Sequence, residues 1–134
     1  MSNFNADIDT HISERLKYYR HKNCYLQSDI AKILGISAKC YKTYENISRD
    51  YYDTDKLQIL ADLYEIHITD LLDEYNLFLY NGQGEQICKK RQAMNLSQLE
   101  FGKLLGVGRR AVGKWENDES VIFKDTWERI LGVE

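Results

Sequence analysis

Arg109 and Arg110 stand side by side after a glycine-rich turn in "LLGVGRRAVGKWEN" (104–117), and Lys114 follows four and five residues on. At helical spacing the three cations share one face near a helix start. A guanidinium is a rigid fork of donors, and such a fork matches the N7 and O6 acceptors that guanine shows in a major groove. A good bidentate pair of that kind discriminates between bases by about 1–3 kcal/mol. The plain alternative is that two arginines and a lysine solvate a helix face. Spacing alone does not separate the two readings, so the elements that position these side chains have to be found.

The same frame occurs a second time. "ILGISAKCYKTYEN" (33–46) repeats it with the middle residues changed. A shift of 71 residues aligns 16–61 with 87–132 without a gap, and nine of those 46 positions are identical. They include Arg20/Arg91, Gln27/Gln98, Gly35/Gly106, Glu45/Glu116 and Asn46/Asn117, while Ile30/Phe101, Tyr41/Val112 and Tyr44/Trp115 keep their apolar or aromatic character. An ungapped match that also keeps the apolar pattern reads as a duplicated domain.

The periodicity is helical throughout, and the fold class expected is all-α. Ile12, Leu16 and Tyr19 line a first helix over 10–22, and Ile30, Ile33 and Leu34 a short second one from Gln27. Gly35 can end that helix without left-handed strain, and Ser37 can cap the next, which carries Tyr41 and Tyr44 inward. Leu57, Leu60, Ala61 and Tyr64 mark a fourth helix. Ile68, Leu71, Leu72, Tyr75, Phe78 and Leu79 are spaced as one continuous, one-sided fifth helix. "NGQG" (81–84) breaks it, giving one domain over 1–80 and a second over 81–134 that repeats only helices one to four.

Two short helices joined by a tight glycine turn are a helix-turn-helix, whose second helix fits a major groove about 12 Å wide. With "LQSDIAKILGIS" and "YENISRD" in the first half, and "LSQLEFGKLLGVGRR" and "WEN" in the second, both halves resemble the Cro/repressor-type (XRE family) helix-turn-helix domains. The resemblance implies tandem lambda-repressor-like domains with recognition helices near 38–46 and 108–117. It implies that Gln27 and Gln98 reach a phosphate and buttress the recognition helix. Base-reading positions fall on Ala38, Lys39 and Thr43, and on Arg109, Arg110 and Lys114. Ser37 and Gly108 at the helix starts, and Lys42, complete the DNA-facing set. The following loops offer Asn46 and Arg49, then Asn117 and Lys124, to phosphates. Arg20 with Glu45 and Arg91 with Glu116, each 25 residues apart, are structural charge pairs in such domains. The first copy departs from the pattern with Leu26 where a capping Ser or Thr is usual, whereas Ser97 fits. The second has Gly113 inside its recognition helix, at a cost of about 1 kcal/mol against alanine.

Composition sets the remaining bounds. At 134 residues the chain is one medium domain or two small ones, with no apolar run of roughly 18 residues and a polar, acidic start, so no membrane association is expected. Cys24, Cys40 and Cys88 form no CxxC pair, His11, His21 and His67 have no ligand partners at metal spacing, and neither "GQGEQ" nor "GVGRR" follows a strand. Hence no metal, no cofactor, no small-molecule ligand domain, no enzyme activity and a cytoplasmic location are expected. The net charge of -3 is uneven: 1–80 holds 9 basic and 13 acidic side chains, and 81–134 holds 9 and 8. All ten tyrosines are in the first part and both tryptophans in the second. Phe123 and Trp127 read as core aromatics.

The function expected is a sequence-specific DNA-binding transcriptional regulator, most simply a repressor, with double-stranded DNA as partner. Two recognition helices could meet successive major grooves about 34–36 Å apart, within one chain or in a homodimer. The competing expectation is an antitoxin- or antirepressor-like interaction module. In that case the acidic first unit, with "YENISRDYYDTD" (44–55) beside the face expected to read DNA, receives a protein partner and only the second unit reads DNA.

Overall fold

The computed structural model describes residues 11–132, which contain helices and no strand. None of these helices is long and apolar enough to cross a membrane. The chain divides into two compact units between Leu77 and Phe78, slightly before the 80/81 boundary expected from "NGQG".

The first unit contains α1 (Ile12–Lys22), α2 (Gln27–Leu34), α3 (Ala38–Tyr44), α4 (Thr54–Leu63), a 3-10 turn at Ile68–Asp70 and the start of α5 (Glu74–Tyr80). Helices of this length are marginal alone, since isolated helices need about 12–15 residues even with favourable sequences. Burial of their apolar faces holds them. Ile12, Leu16, Ile30, Tyr41, Leu57, Leu60 and Leu71 are fully enclosed in one core, and each such side chain contributes about 1.5–3 kcal/mol. Ile33, expected inward, is 41% exposed.

The helix ends follow from local chemistry. Leu26 offers no capping oxygen to α2, but its N–H donates to Asp29 Oδ2 at 2.8 Å, half of a reciprocal cap. Gly35 ends α2 at φ 72°, and Ser37 Oγ accepts from the Cys40 N–H at 3.0 Å to start α3. Lys56 of α4 donates to the terminal carbonyl of α2 at Leu34 (3.2 Å).

The continuous fifth helix expected over 68–79 is broken. Ile68, Leu71, Leu72 and Tyr75 are buried, yet helix resumes only at Glu74. Asp73 causes the break: its Oδ1 accepts from the Asn76 N–H at 2.9 Å and its carbonyl from the Leu77 N–H at 2.8 Å, so it caps a new start. An aspartate that can bond the backbone ahead of it competes with helix continuation.

The second unit holds α6 (Gln83–Ala93), α7 (Gln98–Leu105), α8 (Arg109–Glu116) and α9 (Lys124–Leu131). α6 and α7 begin and end 71 residues after α1 and α2 (12 to 83, 22 to 93, 27 to 98, 34 to 105). Ile87, Phe101, Leu105, Val112, Trp115, Ile122, Trp127 and Ile130 are buried. Phe123 is not the core residue expected: it is 76% exposed, because it precedes α9 as its N-cap and its neighbours Ile122 and Trp127 take the inward positions. Gly102 permits a close approach, since a Cβ there would lie 2.7 Å from the Val107 carbonyl oxygen. Arg129 of α9 donates to the terminal carbonyl of α7 at Leu105 (2.7 Å).

Candidate nucleic-acid interface

In the second unit Ser97 and Glu100 form a reciprocal cap: Ser97 Oγ accepts from the Glu100 N–H (3.1 Å) and Glu100 Oε1 from the Ser97 N–H (2.8 Å). α7 then ends at Gly106, φ 79°, in the left-handed region that favours glycine. Two residues later α8 begins, with Arg109 and Arg110 at its first positions. Gly108 has extended backbone and no side chain to cap α8.

An open groove of about 460 Å³ brings together Gln98, Arg109, Arg110, Gly113, Lys114, Asn117 and Glu119. Arg109, Arg110 and Lys114 are exposed, and none of their side chains has a hydrogen-bond or ion-pair partner among the described residues. Lys124 is half-buried at the first position of α9 and is not among the groove's lining residues.

Gln98 is partly committed. Its Nε2 donates to Glu116 Oε1 at 3.2 Å, and the same carboxylate receives Arg91 Nε (2.7 Å) and Nη2 (3.0 Å). Burial pushes the Glu116 carboxyl up, but the hydrogen bonds from Arg91 and Gln98 outweigh it and hold it below its ordinary value. Arg91 Nη1 also donates to the Leu96 carbonyl (3.0 Å), so one guanidinium fixes α6, the entry to α7 and the end of α8.

The first unit repeats this arrangement. Arg20 Nε and Nη2 donate to Glu45 at 2.7 and 3.0 Å, Arg20 Nη1 to the Tyr25 carbonyl at 3.0 Å, and Gln27 Nε2 to Glu45 Oε1 at 3.1 Å. One donor is added, Tyr41 Oη to Glu45 Oε2 at 2.6 Å, where the second unit has Val112.

The reading face of the first unit differs. Ala38, Lys39 and Lys42 are exposed on α3. Thr43 is engaged, donating to the Cys40 carbonyl (2.7 Å) and accepting from Arg49 Nη1 (2.8 Å). Arg49 is held further by the Tyr51 carbonyl (2.8 Å) and lies 4.2 Å and 5.1 Å from the ring centres of Tyr44 and Tyr52. Stacking on two aromatic faces in this range is attractive and orders the side chain. Ser37 Oγ is spent on its cap, and Asn46 Oδ1 accepts from the Ser48 N–H and hydroxyl (2.9 and 2.8 Å). Of the residues expected to face DNA here, Gln27, Ser37, Thr43, Asn46 and Arg49 are therefore engaged within their own unit and Ala38, Lys39 and Lys42 are not, while Arg109, Arg110 and Lys114 of the second unit keep their side chains unengaged.

Two buried amides absent from the sequence-based site hold the loops beyond the recognition helices. Gln83, 5% exposed, donates to the Trp115 and Ser120 carbonyls (3.1 and 2.6 Å) and accepts from the Ile122 N–H (3.0 Å). Asn76, fully buried, accepts from the Tyr52 N–H (3.1 Å) and donates to the Asp50 carbonyl (2.8 Å). Their sequence positions differ, so the repeat gave no signal for either. Gln83→Ala should cost about 2–4 kcal/mol, because an orphaned buried backbone group costs about 1–3 kcal/mol; urea unfolding monitored by tryptophan fluorescence measures it, as both tryptophans lie in this unit.

Gly113 carries a prediction of opposite sign. A Cβ there would meet Gln98 Oε1 at 3.6 Å, an ordinary contact. Gly113→Ala should therefore stabilise the second unit by up to about 1 kcal/mol, or roughly 4–8 °C in Tm. A lower Tm in a thermal melt would show that residue 113 needs glycine.

No match was found among curated proteins or among solved structures. Residues 89–133, which hold the last five residues of α6 and all of α7, α8 and α9, match the helix-turn-helix family model.

Proposed function

We propose that this chain is a sequence-specific DNA-binding transcriptional regulator without enzymatic activity, acting as a repressor by occupying an operator. The observation that carries the reading is the groove along α8, where Arg109, Arg110 and Lys114 are exposed and unengaged beside Gln98 and Asn117. The helix-turn-helix match over 89–133 supports it. Exposed arginines at a helix start, on a helix short enough to lie in a major groove, suit direct readout of guanine.

Fluorescence anisotropy with a random-sequence duplex over a salt series tests the reading. Log affinity should fall linearly with log salt, by about 0.9 per phosphate neutralised. Absence of binding at 20 mM salt would remove DNA as the ligand.

A second reading concerns the first unit. Its Thr43 and Arg49 are tied up internally, while Ile47 and Tyr51 beside them are 69% and 47% exposed. These features favour a protein-binding role for that surface, as in an antitoxin or antirepressor, with DNA readout left to the second unit. Ile47→Asp with Tyr51→Asp should then leave DNA affinity within about threefold of wild type, beyond the small long-range repulsion of two added charges. A far larger loss would place that loop on DNA.

A further inference from the structure

One lining residue of the α8 groove does not suit an anionic ligand. Gln98, Arg109, Arg110, Lys114 and Asn117 can all donate to phosphates or base edges, whereas Glu119 adds a carboxylate. Its backbone N–H donates to the Lys114 carbonyl at 2.8 Å, which fixes it just beyond the end of α8. The neighbouring acids have other duties: Asp118 Oδ1 accepts from the Gly84 N–H (3.1 Å), and Glu116 is paired with Arg91. Glu119 is exposed, and its carboxylate has no hydrogen-bond or ion-pair partner among the described residues. The first unit has Ser48 at the corresponding position (119 less 71).

A free carboxylate among cations opposes any DNA that presents it only with phosphates or with acceptor edges. In the major groove guanine shows N7 and O6, and thymine shows O4, all acceptors. Adenine sets its amine next to the N7 acceptor, which suits an amide better than a carboxylate. Cytosine shows the N4 amine with no acceptor on its own edge, the usual partner of Glu or Asp. Resting on the DNA reading above, we propose that Glu119 is a specificity-determining residue that reads a cytosine amine and penalises duplexes lacking one at that position. It works by making wrong sequences worse as well as the right one better.

The full chain tests this as wild type, Glu119→Gln, Glu119→Ala and Glu128→Gln, the last removing an exposed acid of α9 that does not line the groove. The probes are a random-sequence duplex in anisotropy and a randomised duplex pool enriched by each protein. Glu119→Gln should bind the random duplex about three- to tenfold more tightly at low salt. The pool enriched by wild type should show a cytosine preference at one position, which shifts to adenine with glutamine and disappears with alanine. Glu128→Gln should change neither result. Identical base preferences in wild type and both Glu119 variants would overturn the proposal, as would an equal affinity gain in Glu128→Gln. Those outcomes leave the DNA reading standing, whereas a wild type that binds neither probe ends both.

Discussion

Glu45→Ala should destabilise the first unit by about 3–5 kcal/mol, the cost of removing one partner from a buried ion pair. Four donors lose their acceptor at once: Arg20 Nε and Nη2, Gln27 Nε2 and Tyr41 Oη. Glu45 is 5% exposed, so water cannot readily replace it. Domain stabilities are typically 5–15 kcal/mol, so a loss of this size removes much of the margin. Thermal unfolding followed by circular dichroism should show a first transition lowered by about 15–30 °C. Glu116→Ala should cost less, because Val112 supplies no hydroxyl and the Arg91–Glu116 pair is more exposed than Arg20–Glu45. A shift under about 5 °C for Glu45→Ala would show that the pair contributes little.

The same carboxylates predict acid sensitivity. In both, burial raises the pKa, but donated hydrogen bonds outweigh it, so Glu45 and Glu116 lie below their ordinary value when folded. Their contribution is fully present above the unfolded value of about 4.3 and is lost as pH falls through the folded one. Tm should therefore begin to drop below about pH 4.5, and less steeply in Glu45→Gln.

Arg109→Ala with Arg110→Ala should weaken DNA binding at least about thirtyfold, since each bidentate guanidinium contact is worth about 1–3 kcal/mol. Loss of base readout would appear as relaxed preference between duplexes; loss of phosphate contact would lower the salt slope by about 0.9 per arginine. Lys39→Ala with Thr43→Ala should do much less, because the Thr43 hydroxyl is already bonded to the Cys40 carbonyl and Arg49. Anisotropy titrations of both doubles decide the matter, and equal losses would mean that both reading faces contribute alike.

Helical character and helix ends were legible in the sequence because they depend on near neighbours. Gly35, Ser37, Ser97 and Gly106 act on backbone groups within a few residues of themselves. The break at Asp73 was not legible, since apolar spacing runs smoothly through it and the bonds that Asp73 accepts from the Asn76 and Leu77 N–H groups reveal the new start. Phe123 and Ile33 misled for a related reason: period alone does not say which apolar residue a neighbouring helix will cover. The residue types on α8 were readable, but their freedom was not. Nothing in "ENISRDYY" announces that Arg49 folds back onto Tyr44 and Tyr52. The amides of Gln83 and Asn76 matter only once distant backbone is brought to them, so a linear reading passes over both.

The carbonyl that closes the second helix of each unit meets a cation from the fourth helix, yet Lys56 and Arg129 are not at matching places: α4 starts at 54 and α9 at 124, so 56 corresponds to 126, a buried threonine. What the two units share is an obligation of the backbone, and different side chains discharge it from different turns. Single residues are therefore not interchangeable parts between the two halves. Grafting Lys56 onto its counterpart would put a lysine in place of the buried Thr126, whereas exchanging the whole fourth helix would carry each solution along with its own address.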